Sequence, residues 1–152
     1  MGKAIWVAAM LGCAVLAQPA CAQTASTPTR DGVYRGTLVC GNLILLRSRP
    51  RSAVELTIAG RDMKFSRPVV EKGAALGTET GTGTLDGDKI ALAGSWKGDK
   101  LGFESSYTGT FVRRASLKLA GTQTWTQNGK TTSRNCTGSA KRSIGFFRRK
   151  AG

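Results

Sequence analysis

The side chains able to do chemistry are few, and most catalytic schemes fail for want of a partner. The 152 residues contain no histidine. That removes the Ser-His and Cys-His nucleophile pairs, and with them the one side chain whose ordinary pKa lies near neutrality. Asp86 and Asp88 flank Gly87, but a calcium loop needs more oxygens at regular spacing, so the pair reads as turn chemistry, as does Asp99. Gly81-Thr82-Gly83-Thr84 has the composition of a phosphate loop. It lacks the Gly-Lys-Ser/Thr that should follow and the helix that would cradle a phosphate. Glu104 runs out of phase with Phe103 and reads as a solvated strand residue. No catalytic residue, metal ligand set or cofactor motif emerges, and the expectation is a protein that is not an enzyme.

The cysteines carry more information. Met1-Gly2-Lys3 is followed by a run rich in apolar residues from Ala4 to Ala17, a Gln18-Pro19 break and the small-x-small triplet Ala20-Cys21-Ala22. This is the pattern of a secretory signal peptide cut after Ala22, and the run is too short to span a bilayer. A lipid anchor on Cys13 or Cys21 is the competing reading. Cleavage leaves Cys40 and Cys136. Two cysteines in an exported chain most simply form one disulfide, and without histidine they make a poor zinc site. The periplasm or the extracellular space is the expected location.

Charge supplies the candidate binding residues. Without residues 1–22 the chain holds 22 Lys plus Arg against 9 Asp plus Glu, net +13. A field of that sign attracts anionic partners: an envelope component, an acidic protein, or a lipid surface touched peripherally. Three groups of cations stand out: Arg47, Arg49 and Arg51; Arg113 and Arg114; and the tail, where Lys141, Arg142, Arg148, Arg149 and Lys150 surround Ile144, Phe146 and Phe147. Interleaved cations and aromatics suit an anionic lipid surface or a nucleic-acid backbone. Separately, Trp96 and Trp125 each follow an Ala-Gly strand end, which places them near one rim of whatever sheet they belong to, as a candidate ligand mouth.

The elements that must position these residues are strands. Thr82–Trp96 and Thr108–Trp125 share a pattern: Gly-Thr-apolar, a polar turn, apolar-x-Leu-Ala-Gly, then Trp. A shorter echo is Leu56-Thr57-Ile58-Ala59-Gly60. Period-two alternation gives a first strand near 32–39 with Tyr34, Leu38 and Cys40 on one face. A second strand is expected at 43–47, then a loop at 48–52, strands at 54–59 and 63–66, and a longer loop over 67–75 because of Pro68 and Gly73. Hairpins follow: 78–85 with 89–95, 101–111 with 116–126, and a last one turning at Asn128-Gly129, a strong type I′ signal. Counting back from that turn puts Trp125 opposite Thr132 and Gly121 opposite Cys136. No stretch repeats at 3.6 residues.

An all-β antiparallel meander of about eight strands results. If Cys40 and Cys136 are bonded, the first and last strands are neighbours and the meander is a closed barrel; a β-sandwich is the alternative. The expected layout is a signal peptide at 1–22, a flexible leader at 23–31, the barrel at 32–139 and a basic aromatic tail at 140–152.

Gly32-Val33-Tyr34 at the start of the first strand, the run of hairpins, and Arg134 on the last strand resemble the calycin type of barrel, the lipocalin and avidin kind. Small bacterial envelope inhibitors of proteases, with one disulfide in such a barrel, are similar. The resemblance covers topology over residues 32–138. Two functions follow as expectations: an exported binding protein recognising an anionic envelope component or inhibiting a protein partner, and a carrier of a small apolar ligand inside the barrel.

Overall fold

The computed structural model describes residues 29–42, 51–71 and 73–143. Alternating burial along each segment yields eight strands. They are β1 (Gly32–Cys40), β2 (Arg51–Ala59), β3 (Asp62–Glu71), β4 (Ala74–Asp86), β5 (Lys89–Lys97), β6 (Leu101–Arg113), β7 (Ser116–Gln127) and β8 (Lys130–Arg142). Each pairs antiparallel with its sequence neighbour, and β1 pairs with β8, so the sheet closes on itself as a barrel rather than splitting into a sandwich. Closure leaves no free edge strand.

The closing seam carries the disulfide: Cys40 and Cys136 face each other in the β1–β8 ladder and are bonded. The last hairpin has the expected register, with Trp125 opposite Thr132 and Gly121 opposite Cys136. Its turn places Asn128 at φ 50° and Gly129 at φ 74°, the left-handed pair that a two-residue hairpin turn requires. The repeated motif is the β4–β5 and β6–β7 hairpins, in which Gly83 lies opposite Leu92 and Gly109 opposite Leu119.

Turns alternate between the two ends. The lower end holds the Gly60, Gly87 and Arg114 turns; the upper end holds the Gly73, Asp99 and Asn128-Gly129 turns. The lower half of the interior is an apolar cluster that includes Tyr34, Leu38, Leu56, Met63, Phe65, Phe111, Leu117 and the disulfide. Tyr34 meets Phe111 edge-on at 5.5 Å. Residues 29–31, expected within the flexible leader, are tied to this end. Tyr34 donates its hydroxyl hydrogen to the Arg30 carbonyl at 2.8 Å, and Asp31 accepts from the Gly60 amide at 2.8 Å. Arg30 also pairs with Asp88 and lies 4.5 Å over the Phe111 ring.

Three expectations need correction. Residues 67–75 are not a loop: β3 runs through Pro68 to Glu71 and β4 starts at Ala74. Proline is tolerated because the β2–β3 ladder ends at Glu55–Ser66, so Pro68 has no β2 partner to which an amide hydrogen should go. Residues 51 and 52, read as loop, open β2, and Ser52 is buried. The barrel passes its expected limit at residue 139, because β8 continues to Arg142 and buries Ala140. The expected signal peptide, the strand at 43–47 and the tail beyond residue 143 lie outside the described residues.

The disulfide generates a stability prediction. It joins residues 96 apart in sequence, so its loss frees nearly the whole domain in the unfolded state. Purified protein should contain no titratable thiol at Cys40 or Cys136, and Cys40→Ser should lower the unfolding free energy by about 2–5 kcal/mol in urea. Thiol titration and denaturation curves check both.

Candidate functional site

Above the apolar half the interior changes character. One step nearer the upper end, strand after strand turns a polar side chain inward: Ser52, Arg67, Glu79, Ser105, Gln123 and Arg134, all buried. Glu79 is the hub, with no exposure. It accepts hydrogen bonds from Arg67 Nε, from the Ser105 hydroxyl, from the Tyr107 hydroxyl at 3.1 Å and from Gln123 Nε2 at 3.4 Å. A buried carboxylate is tolerable only when paired and hydrogen-bonded in this way.

The network spreads from that hub. Gln123 Nε2 donates to the Tyr107 oxygen at 2.8 Å, and Gln123 Oε1 accepts from Arg134 Nε at 2.8 Å and from Trp125 Nε1 at 3.3 Å. Arg67 reaches across the gap left by the shortened β2–β3 ladder, donating to Ser52 Oγ at 2.7 Å. A side-chain bond thus spans a stretch where backbone bonds stop. A groove of about 410 Å³ lies outside this gap, lined by Val54, Glu55, Ser66, Arg67 and Pro68 among others.

The charges do not balance. Arg67 and Glu79 pair, but Arg134 has no carboxylate partner among the described residues. Burial, reinforced by the Arg67 charge, lowers the Arg134 pKa to about 10. Burial, reinforced by the Glu79 carboxylate, raises the Tyr107 pKa to about 12.

Three rings cluster at the upper end. Phe103 and Trp125 lie 4.5 Å apart, and Trp96 sits 5.9 Å from Phe103 and 6.1 Å from Trp125. Val69 and Leu101 complete the cluster. Phe103 and Trp125 are buried, whereas Trp96 is only partly buried. Trp96 lies against the Gly77 backbone so closely that a Cβ there would come within 2.5 Å of its indole nitrogen. The cationic and aromatic layers touch: the Arg134 guanidinium carbon is 4.9 Å from the Trp125 ring centre, and that of Arg67 is 5.7 Å from Phe103.

Of the residues singled out from sequence, Trp96 and Trp125 come together here. Arg51 opens β2 at the same end and is exposed. Arg113 and Arg114 lie at the opposite end, beside Lys141 and Arg142, so the arginine groups do not converge on one rim. Arg47, Arg49, Phe146, Phe147, Arg148, Arg149 and Lys150 fall outside the described residues. The last-strand arginine facing Tyr34 in the ladder is Arg142, whereas Arg134 belongs to the upper network. Sequence reasoning missed Glu79, Arg67, Gln123 and Ser52. The signal was present in β4, where Thr78, Thr80, Thr82 and Thr84 alternate with Glu79, Gly81, Gly83 and Leu85. Glu79 shares the phase of buried Leu85.

No protein-family model matches the chain, and no curated protein matches it. Among solved structures the chain is similar to that of EF1p2_mFAP2b bound to DFHBI. That match has a TM-score of 0.57 at 12% identity and covers 75% of this chain and 94% of the other. A redesigned beta barrel is similar at TM-score 0.50 and 11% identity, covering 76% and 92%. At these identities the likeness shows the eight-strand antiparallel barrel, and no calycin family is identified.

The network predicts a delayed tyrosine titration. The chain has two tyrosines, Tyr34 and Tyr107, and burial raises both. A folded pKa above the unfolded one means the native state holds that proton more tightly. The stability from Tyr107 is therefore full below about 10 and is lost as pH rises toward about 12. Ultraviolet titration of native protein should show no phenolate step at the ordinary tyrosine pKa, and the step should appear there in denaturant. Glu79→Gln should also destabilise the fold by about 3–5 kcal/mol, because Arg67 then loses its buried partner.

Proposed function

We propose that this chain is an exported, non-enzymatic binding protein that takes a small ligand at the upper, aromatic end of its barrel. The observation that supports this most is the stacking of two unlike layers, the Trp96–Phe103–Trp125 rings on the buried Arg67–Glu79–Tyr107–Gln123–Arg134 network. Binding sites combine apolar walls with a few placed polar groups. A barrel stabilised for its own sake gains little from buried charges, since an apolar replacement of similar volume is often as stable. Export is supported by the signal-peptide pattern of residues 1–22 and by the disulfide. The absence of histidine from the sequence supports the non-enzymatic reading. The structure of EF1p2_mFAP2b bound to DFHBI is compatible with a ligand in a barrel of this kind.

The test uses N-phenyl-1-naphthylamine, a neutral planar probe that fluoresces in apolar surroundings, on the chain without residues 1–22. Micromolar binding is expected. Trp96→Ala, at the partly buried ring, should weaken it about tenfold or more while costing under about 1 kcal/mol of stability. Trp125→Ala, at the buried ring, should cost about 3–5 kcal/mol. Absence of binding would return the three rings to a purely packing role.

A second reading rests on the opposite end. Arg113 and Arg114, in the β6–β7 turn, lie next to Lys141 and Arg142, where the chain leaves the barrel toward its basic aromatic tail. This cluster supports recognition of an anionic envelope component or lipid surface, or inhibition of an acidic protein partner. Each cation near an anionic surface adds about 1 kcal/mol, an attraction that salt screens. Co-sedimentation with anionic vesicles at low salt should fall sharply on truncation after Ser143 and recover for neither form at high salt. Equal binding by the full and truncated chains would place the contact on the barrel.

A further inference from the structure

We propose that the ligand carries a carboxylate on a planar apolar body, with Arg134 gripping the carboxylate and the rings at the upper end holding the body. The inference rests on the reading of the barrel as a ligand-binding protein and adds the chemical class of ligand.

Three observations converge on Arg134. It is 7% exposed, yet it forms no ion pair with a carboxylate among the described residues. Glu79, the buried carboxylate among the described side chains, is occupied by Arg67, Ser105, Tyr107 and Gln123. Among the described side chains the interior network therefore holds two guanidinium charges against one carboxylate, and an added anion completes the balance. A buried cation without a counter-charge is the arrangement a desolvated anion stabilises most, because each removes the other's penalty.

The geometry fixes which part of Arg134 is offered. Nε is committed to Gln123 Oε1 at 2.8 Å, and one face of the guanidinium lies on Trp125 at 4.9 Å. The terminal nitrogens make no hydrogen bond to any described residue, and no fully buried side-chain nitrogen or oxygen lacks a partner. Those nitrogens belong to a residue that retains a little exposure. They are two forked donors, held in orientation by Gln123 and Trp125, and a carboxylate matches that fork bidentately. Burial first and the Arg67 charge second lower the Arg134 pKa to about 10, with Tyr107 and Glu79 acting more weakly the other way; at neutral pH it is still charged.

The body of the ligand follows from what stands beside the fork. Trp125 touches Arg134, and Phe103 and Trp96 continue the aromatic surface outward to partly exposed Trp96. A molecule with its carboxylate on Arg134 lays its remainder along these rings, where a flat apolar group packs edge-on or offset.

The experiment compares 2-naphthoate with 2-naphthamide, which share a shape and differ in charge. Binding to the chain without residues 1–22 is followed by quenching of Trp96 and Trp125 fluorescence and by calorimetry. The acid should bind about tenfold tighter than the amide. Arg134→Gln should remove that preference by weakening the acid far more than the amide, and Arg134→Met, of similar reach and without charge, should do the same if the first variant does not fold. The double variant Arg113→Gln/Arg114→Gln, at the far end, should leave the preference unchanged. Equal affinity for acid and amide in the unaltered protein, or a preference that survives loss of the Arg134 charge, overturns this inference while leaving the ligand-binding reading standing. Failure of both probes to bind overturns both.

Discussion

A carboxylate with no exposure, inside a barrel, sets the terms for everything around it. Glu79 cannot remain there ionised without compensation, and Arg67 supplies the charge while Ser105, Tyr107 and Gln123 supply donors. These partners come from β3, β6 and β7, so satisfying one side chain fixes three strands relative to β4. Gln123 passes the constraint on. With its amide nitrogen turned to Tyr107 and Glu79, its oxygen has to face Arg134 and Trp125. The orientation of the upper site is thus inherited from a carboxylate that does not itself reach the surface.

The interior is divided accordingly. Below the network, aliphatic and aromatic side chains fill the barrel around the disulfide and bury the area that drives folding. Above it, three rings and two guanidinium groups form a mixed layer in which cations lie over aromatic faces. Among the described residues the lower half has no buried charge, and the upper network has three. Natural sequences depart from the rules of a well-packed core mainly where function requires it.

Much of this architecture could be read from period-two alternation. Tyr34, Leu38 and Cys40 share a face, Asn128-Gly129 fixes the last register, and that register places Trp125 and Cys136 on the same side. Closure followed from pairing the two cysteines. The polar network was not legible in the same way, because a period shows which face a residue occupies and not whether that face is dry. Arg67 was lost beside Pro68, since proline argues for a loop unless the neighbouring ladder is known to have ended. Glu79 was hidden among threonines and glycines, where its phase with Leu85 was the one clue. The distribution of arginines between the two ends depends on counting turns through the whole meander, and one misread loop shifts the count.

The shortened ladder between β2 and β3 gives the cylinder a directional weakness. A ring of strands usually opens most readily where the chain's own ends meet, but here that seam is bolted by Cys40–Cys136. The slack lies elsewhere, between Val54 and Arg67, where a single arginine-to-serine hydrogen bond spans what backbone pairing does not. The interior side chains directly behind this split are Arg67 and Ser52. The barrel therefore has a side as well as two ends, and on that side the charged layer lies behind a surface groove without the apolar half in between.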